Sequence, residues 1–355
     1  MKPTILPAIT GIGSVSPFGP LAGLIPHSHV EPTPITAWAT DGLRRAFLVT
    51  PFQPSSIVPG VKTRRLDRLS AWAVVASSLA LQDAGIDLDL LDRSRVAVVF
   101  GTGSGCIESA ESFFQSAHVN GWSGTDPITF PETLANSPAG HVAIWHNVRG
   151  PNITVSVKNF SGESAMLQAA SLLRHGQADL AIVIAGDTVT RTFYEWYETA
   201  GLLAPACFNS GPLLQNSGYV PSEGVVALVL EPEGSRPAGS RNARSYAHLK
   251  GGHWTAGGEP VAGIRKVLGG EIPDLAICAG DGAPCTAGST ACSPTSIVGP
   301  DATIVPAQTV ALGLTDAGGL LHLVLALSER PKSGQALMMA TPDHSGFAAL
   351  LLDIP

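Results

Sequence analysis

The sequence predicts an α/β fold, because β-branched runs typical of buried strands alternate with segments whose apolar residues recur at helical spacing. Arg95 to Gly101, Ile153 to Val157 and Ala178 to Ile184 are three such strands. The helical pattern is clearest after the second strand, at Ala165, Met166, Ala169, Ala170, Leu172 and Leu173. A length of 355 residues allows two domains or one large duplicated domain.

Composition indicates extensive burial and no membrane span. The chain is 45% hydrophobic and only 14% charged, so large areas should be buried in a core or against another subunit. The longest apolar stretches, such as Val96 to Phe100 and Leu323 to Leu327, are far too short to cross a bilayer. Met1 to Thr10 lacks the long apolar region of a signal peptide, so we expect a cytoplasmic protein without a membrane partner.

Charge and cysteine content argue against several kinds of site. A net charge of -7 leaves no basic footprint for nucleic acid and makes the chain an unpromising main docking surface for an acidic carrier protein. The cysteines form neither a C-x-x-C pair nor a zinc pattern with histidine. They are Cys106, Cys207, Cys278, Cys285 and Cys292. We expect reduced structural thiols, no metal and no cofactor.

The remaining elements follow from the same patterns, taken in chain order. A strand from Ile5 to Thr10 leads into a glycine-rich turn at Gly11 to Gly13, which lacks the G-x-G-x-x-G register of a dinucleotide site. Leu21 to Gly60 is rich in proline and serine and is expected to form surface loops. Helices are expected at Ser70–Ala84, Ile107–His118, Pro131–Ile144 and Ala317–Leu327. Further strands are expected at Val225–Glu231, Leu275–Cys278, Thr303–Val305 and Ala348–Leu352.

A stretch rich in Gly, Pro, Ser and Arg, from Pro232 to Arg244, indicates a boundary between two halves. We therefore divide the chain into residues 1–240 and 241–355, of which the second half is the shorter.

A tight strand-to-helix turn is expected at Lys158 to Gly162, with Ser161 as a candidate helix N-cap. Such a turn directs one side chain at the positive end of a helix, where an anion or a developing oxyanion is stabilised. Asn159 lies on this turn. It is either a turn residue that tolerates the left-handed conformation or a functional amide, and both interpretations stay open. Lys158 is either solvated or paired with Glu163.

The stretch from Gly150 to Gly176 resembles the nucleophile elbow of the β-ketoacyl-acyl carrier protein synthases of the thiolase superfamily. Gly150-Pro151, the strand and Ser161-Gly162 match without a gap, and residues 9–19 (ITGIGSVSPFG) match the family's opening strand. Two further motifs match, Asn136 with Ala139-Gly140-His141-Val142 and Ser222-Glu223-Gly224 before a strand. The resemblance implies a thiolase-like fold, a duplicated five-layered αβαβα architecture with a shortened second half.

The resemblance also implies that the catalytic positions are degenerate. Asn159 stands where the family has its cysteine nucleophile, and an amide cannot form the thioester. Ala279 and Leu312 take the places of two histidines and Ala307 that of a lysine, so N–H donors for developing negative charge are missing. The gate sequence G-F-G-G reads Gly346-Phe347-Ala348-Ala349, which favours a stiffer loop. No catalytic residue is therefore expected.

A chain that keeps the family's scaffold but lacks its catalytic residues resembles the chain length factors (KS-beta subunits) of bacterial type II polyketide synthases. Those ketosynthase-like proteins carry an amide residue, usually glutamine, in place of the cysteine. The resemblance implies a heterodimer with an active ketosynthase subunit, an acyl carrier protein reached through the complex, and no acyltransferase activity of this chain alone. The shortened second half is closer to the branch found in polyene-forming, highly reducing systems than to the aromatic branch.

The leading hypothesis is a non-catalytic partner that completes an acyl tunnel at the heterodimer interface and limits polyketide chain length sterically. Side chains from the Ile107–His118 helix and from Phe130 to Leu134 would close the tunnel floor. The candidate tunnel and gate residues are Ser109, Ser112, Phe113, Phe114, Phe130 and Leu134. Phe113 and Phe114 also fit an ordinary core, and His141 fits a packed helix residue better than a catalytic base.

Two alternatives belong to other classes of protein. One is a malonyl-carrier decarboxylase or acyltransferase that uses the Asn159 amide. A replacement nucleophile, Ser161 or Ser164, would need a nearby base, and none is evident in the matched loops. The other is a scaffold protein unrelated to polyketides.

Overall fold

The computed structural model describes residues 6–25, 30, 33–36, 38, 44–201, 203, 220–234, 244–255, 260–279, 303–305, 319–329, 333–340 and 347–355. The strands are β1 Pro7–Ser16, β2 Gly19–Ala22, β3 Thr33–Pro34, β4 Arg45–Ala46, β5 Val96–Gly101, β6 Asn152–Val155, β7 Leu180–Asp187, β8 Gly224–Pro232, β9 Ala247–Thr255, β10 Leu275–Ala279, β11 Thr303–Val305, β12 Gly334–Ala340 and β13 Phe347–Ile354. The helices are α1 Pro54–Ile57, α2 Arg68–Ala84, α3 Ile107–Asn120, α4 Ser137–His146, α5 Ser161–Arg174, α6 Arg191–Thr199, α7 Pro260–Leu268 and α8 Gly319–Ser328. Within these ranges, no helix is both long and apolar enough to cross a membrane.

The main sheet repeats one pairing pattern twice. Its 11 strands run β11-β10-β12-β13-β9-β1-β8-β7-β5-β6, with β2 paired to β1 beside this path. From either outer end, two parallel pairs are followed by two antiparallel pairs. The two halves join where Ala8 and Ile9 of β1 pair with His248 and Ala247 of β9. The duplication expected of a thiolase-like fold is therefore present in the strand topology.

The helices form three layers, one on the outer face of each half-sheet and one between the two half-sheets. An apolar cluster packs each layer against the strands. One cluster packs α2 and α4 against β5, β7 and β8. A second holds Met166 of α5 and Leu323 of α8 together with strands of both half-sheets, so these two helices form the central layer. A third packs Ile264 and Leu268 of α7 against β12 and β13. The order helix, sheet, helix, sheet, helix confirms the five-layered architecture.

Arg174, at the end of α5, connects the central layer to the second half-sheet. Its Nη2 donates to the carbonyl oxygens of Leu249 and Lys250 in β9, at 2.9 and 3.0 Å. Residues 235–243 lie outside the described ranges, so the boundary between residues 240 and 241 stays a prediction.

Gly11 and Gly13 lie inside β1 and not in a turn, which corrects the sequence expectation. A Cβ built on Gly11 would lie 2.2 Å from the Ala80 carbonyl oxygen, and one on Gly13 would lie 2.1 Å from that of Ala76. The two glycines therefore allow α2 to pack directly on the strand backbone. The chain turns only at residues 17 and 18, before β2.

The helix expected from Pro131 begins only at Ser137, which is a second correction. Phe130–Thr133 forms a single 3-10 turn instead. Pro138 lies in the first turn of α4, where a missing N–H costs no helical hydrogen bond, so the helix starts there.

Candidate functional site

The elbow has the expected order of strand, turn and helix. Strand β6 ends at Val155, a 3-10 turn spans Lys158–Phe160, and α5 begins at Ser161. Lys158 has a φ of 55°, so the left-handed residue of the turn is Lys158 and the turn-residue interpretation of Asn159 is wrong in that detail. Asn159 is half-buried at the turn, next to the buried Phe160 that anchors it.

Ser161 joins the elbow to the neighbouring strand and is not the helix N-cap, which is Phe160. Its buried hydroxyl donates to the carbonyl oxygens of Thr102 at 3.0 Å and Lys158 at 2.6 Å. It also accepts the N–H of Val157 at 3.0 Å. Because the hydroxyl is engaged with the backbone at these three positions, it is a poor nucleophile candidate.

Glu163, in the first turn of α5, also differs from the sequence prediction. Its carboxyl group is completely buried, and neither oxygen forms a hydrogen bond with another side chain or with the backbone of the described residues. The expected alternative of a Lys158–Glu163 ion pair is therefore wrong, and the Lys158 side chain is exposed. Burial raises the pKa of Glu163 from 4.5 to about 7. The Ser164 hydroxyl is also buried without a hydrogen-bond partner among the described residues.

Five of the six candidate tunnel residues fall into two groups, and the sixth, Leu134, directly follows the Phe130–Thr133 turn. Ser109 and Ser112 line a cleft of about 540 Å³ between the start of α2 and α3. Phe113, Phe114 and Phe130 form an aromatic group instead. The described residues thus do not bring all six onto one surface of this subunit.

The cleft that holds Ser109 and Ser112 has a polar floor and an aromatic wall. Asp67 at its floor caps α2 by accepting the N–H of Leu69 at 2.8 Å, and it accepts the Ser109 hydroxyl at 2.5 Å. Arg68 forms an ion pair with the buried Glu223 at 3.0 Å and lies 4.9 Å from the ring centroid of Trp72. Burial raises the pKa of Asp67, although its hydrogen bonds oppose the shift.

The aromatic group packs around one buried ring. The centroid of Phe113, only 8% exposed, lies 5.7 Å from that of Phe114 and 5.6 Å from that of Phe130. Phe114 also meets Trp122 edge-on at 6.4 Å. The core interpretation therefore holds for Phe113 and is wrong for Phe114, which is 53% exposed.

Exposed apolar side chains of α3 and of the segment that follows it, as far as Leu134, form an apolar surface. It consists of Phe114, Val119, Trp122, Ile128, Phe130 and Leu134. Single exposed apolar residues are ordinary, but a patch that includes an indole exposed by 71% is typical of a protein interface. We call it the apolar surface below.

Glu132 holds the Phe130–Thr133 turn in place, and sequence reasoning missed this role. One of its oxygens accepts the N–H of Asp67 at 3.1 Å, and the other lies 2.6 Å from Nε2 of His141 in α4. His141 is half-buried and packed in its helix, as expected. One network thus joins the start of α2, the start of α3, α4 and the turn that carries Phe130.

Asp187 is a second functional residue that sequence reasoning missed. This buried carboxylate at the end of β7 accepts hydrogen bonds from Thr102, Gly103 and Ser104 in the turn between β5 and α3. Burial raises the pKa of Asp187, and these hydrogen bonds partly offset the shift. No pattern along the chain indicated this contact, because its donors come from a turn about 85 residues earlier in the sequence.

Cys106 and some of the matched positions of the second half lie within the described residues, whereas Cys207, Cys285 and Cys292 lie outside them. Cys106 is buried at the start of α3, and burial raises the pKa of its thiol, as expected of a structural cysteine. Ala279 is the last residue of β10, whereas Ala307 and Leu312 lie outside the described residues. Phe347, Ala348 and Ala349 belong to the buried strand β13, which confirms the strand predicted at Ala348–Leu352 and corrects the expectation that the gate sequence forms a loop at these three residues. Among the described residues, no group of three or more His, Cys, Asp or Glu side chains is placed to hold a metal ion.

Comparison with known proteins identifies a family over most of the first half. The sequence model described as beta-ketoacyl synthase, N-terminal domain, matches residues 25–235, more than half of the chain. The chain is 27% identical over 259 residues to 3-oxoacyl-(acyl-carrier-protein) synthase 2 of Vibrio cholerae, across 68% of this chain and 61% of that protein. It is 27% identical over 199 residues to nodulation protein E of Rhizobium leguminosarum, across 56% of this chain and 49% of that protein. The chain therefore spans about half to three fifths of the length of these relatives.

Solved structures share the fold over almost the whole chain. The ishigamide ketosynthase/chain length factor superposes with a TM-score of 0.70 at 21% identity, across 98% of this chain and 99% of that one. A beta-ketoacyl synthase from Burkholderia phymatum gives a TM-score of 0.81 at 18% identity, across 99% and 100%. A type II polyketide synthase acyl-carrier protein in complex with its ketosynthase bound to the hexaketide gives 0.74 at 16%, across 99% and 100%. At these identities the likeness concerns the fold.

Proposed function

This chain belongs to the β-ketoacyl synthase family, and we propose that it acts there as a chain length factor, a ketosynthase-like subunit without condensing chemistry of its own. It pairs with an active ketosynthase, forms the acyl tunnel at the heterodimer interface and limits the length of the polyketide or polyene chain. The complex, not this subunit alone, carries the acyltransferase activity and receives the acyl carrier protein. The setting is the cytoplasm.

The observation that carries the proposal is the residue at the elbow. The strand, the turn and the helix are all kept, yet the turn presents Asn159, whose amide cannot attack a thioester. Ser161 is hydrogen-bonded to the backbone at Thr102 and Lys158, and Ser164 is buried, so neither hydroxyl is placed to replace a nucleophile. A family scaffold without a nucleophile at its elbow fits a structural role in a complex.

Two exposed features support a protein partner. The apolar surface on α3 and the following turns leaves Trp122 and Ile128 largely uncovered in this subunit. Strand β6 ends the sheet and pairs with β5 alone among the described strands, so its outer edge can accept a strand from another chain. A ketosynthase of the same fold could cover both features, because the two subunits would present similar edges to one another.

The proposed control of chain length is steric. Phe113 is buried where α3 meets the Phe130–Thr133 turn, and Phe114 and Phe130 flank it at the surface that the partner would cover. A growing acyl chain that enters from the ketosynthase would end against these rings. Their size would then set the length at which elongation stops.

Native mass spectrometry of the chain, alone and co-expressed with an active type II ketosynthase, tests the proposal. We expect a 1:1 complex and poor solubility of the lone subunit. Trp122→Asp, which places a charge in the apolar surface, should abolish the complex, whereas Trp196→Asp, a matched exposed indole on α6, should leave it intact. A stable homodimer that ignores the ketosynthase would contradict the proposal. Malonyl-carrier decarboxylation that disappears in Asn159→Ala would instead favour the enzyme alternative.

A further inference from the structure

One buried carboxylate holds the turn between β5 and α3. Oδ1 of Asp187 accepts the hydroxyls of Thr102 and Ser104 at 2.6 and 2.8 Å. It also accepts the N–H groups of Gly103 and Ser104 at 3.1 and 2.9 Å. Thr102 Oγ1 in turn accepts the N–H of Gly105 at 2.8 Å, so the whole turn is organised around this one acceptor. Removing it would leave several buried donors unsatisfied.

The same turn is in direct contact with the elbow. The carbonyl oxygen of Thr102 accepts the Ser161 hydroxyl at 3.0 Å. The backbone N–H of Thr102 donates to the carbonyl oxygen of Val155, at the end of β6, at 3.1 Å. A Cβ built on Gly101 would lie 2.2 Å from the Ser161 carbonyl oxygen, so the two backbones touch. A shift of the turn would therefore shift the elbow that carries Asn159.

A second contact from the same segment reaches α3 farther along. Thr190, three residues after Asp187, donates its hydroxyl to Oε1 of Glu111 at 2.8 Å. The same hydroxyl caps α6 by accepting the N–H of Phe193 at 3.4 Å. The segment from Asp187 to Thr190 thus contacts α3 at two places. Asp187 binds the turn that precedes the helix, and Thr190 binds Glu111, one turn into the helix.

We propose that Asp187 is a positioning residue that sets the position of α3 relative to the elbow, and hence the length of the acyl tunnel between Asn159 and Phe113. The inference rests on the proposed function and adds to it a residue that fixes the length of the tunnel. Asp187 itself would contact neither the acyl chain nor the aromatic group. It acts through the turn formed by Thr102, Gly103 and Ser104.

The test uses the co-expressed complex with the ketosynthase and measures the lengths of its products by mass spectrometry. Asp187→Ala should still form a 1:1 complex, while the share of the main product falls several-fold and other chain lengths appear. Asp187→Asn keeps one carbonyl oxygen as acceptor and should lie between this variant and the wild type. Asp179→Ala, which removes an exposed carboxylate just before β7, is the matched control and should leave the products unchanged.

Unchanged products in a folded Asp187→Ala complex would overturn the inference. If that variant does not fold, Thr102→Val and Thr190→Val each remove one hydroxyl and keep the carboxylate, and unchanged products in both would overturn it equally. Phe113→Ala separates the two proposals. Altered products with Phe113→Ala but not with the Asp187, Thr102 and Thr190 variants would reject the inference alone, whereas a wild-type chain that forms no complex would reject the proposed function and the inference with it.

Discussion

A Cβ built on Gly319 would lie 1.8 Å from Oε1 of Glu163, so the carboxyl group of α5 occupies the space of a side chain at the first residue of α8. Met338 of β12 closes the same space, with its methyl carbon 2.9 Å from that Cβ position. The two central helices therefore meet at a point where one contributes a buried acid and the other contributes no side chain at all.

Glu163→Gln should remove a pH dependence of stability. The pKa of Glu163 is raised from 4.5 to about 7 by burial, so the folded chain keeps a proton that the unfolded chain loses near 4.5. Its contribution to stability is complete below pH 4.5 and is lost as the pH rises through 7. Relative to Glu163→Gln, the wild type should lose on the order of 3 kcal/mol across this window.

Urea unfolding at a series of pH values measures this difference. Glu195→Gln, at a half-exposed carboxyl group of α6 that pairs with Arg191 on the same helix, serves as control and should follow the wild type. Parallel curves for the wild type and Glu163→Gln would show that Glu163 does not titrate in this range.

Gly319→Ala should destabilise the chain by about 1 to 3 kcal/mol, because the new methyl group overlaps the Glu163 carboxyl group. The double variant Glu163→Ala/Gly319→Ala should be less destabilised than the sum of the two single changes, since the methyl group then fills the vacated space. Gly140→Ala in α4 is the control, because nothing lies within 4 Å of its Cβ position, and it should gain up to about 1 kcal/mol. Additive free energies in the Glu163/Gly319 cycle would contradict the contact.

The elbow was predictable from the sequence because its signals are local. All of residues 153–157 except Ser156 are β-branched, and the first apolar residues of α5 follow at helical spacing, so the strand and the helix were placed within two residues. The second half was less predictable. β12 reads GQALMMA, whose Leu, Met and Ala favour a helix, but it is a strand because β10 and β13 pair with it on both sides.

The supports of the site were not predictable, because they join residues far apart in the sequence. Asp187 lies 85 residues from Thr102, and no pattern along the chain indicates that a carboxylate after one strand receives donors from the turn after another. The exposed state of Phe114 beside the buried Phe113 depends likewise on where the Phe130–Thr133 turn packs. Only the fold brings these groups together.

Phe113→Ala should lengthen the products of the complex and lower the stability of this subunit. Truncating a buried Phe costs about 3 to 5 kcal/mol, so the milder Phe113→Leu is the variant of choice for product analysis. Phe114→Ala, at an exposed ring, should cost less than about 1 kcal/mol in the isolated chain. Product lengths unchanged in both Phe113 variants and in Phe130→Ala would reject the steric stop at these rings.

Lys158→Gly should raise the free energy of unfolding by up to about 1 kcal/mol, because Lys158 holds a left-handed conformation that glycine adopts without steric cost. Lys158→Val should lower it by about 1 to 2 kcal/mol, since a β-branched residue tolerates that conformation least. Asn159→Gly is the control: Asn159 is not among the left-handed residues, so this change should bring no gain. Urea unfolding of the three variants decides which residue carries the strain of the elbow. A gain with Asn159→Gly and none with Lys158→Gly would move the left-handed position to the asparagine and revive its interpretation as a turn residue.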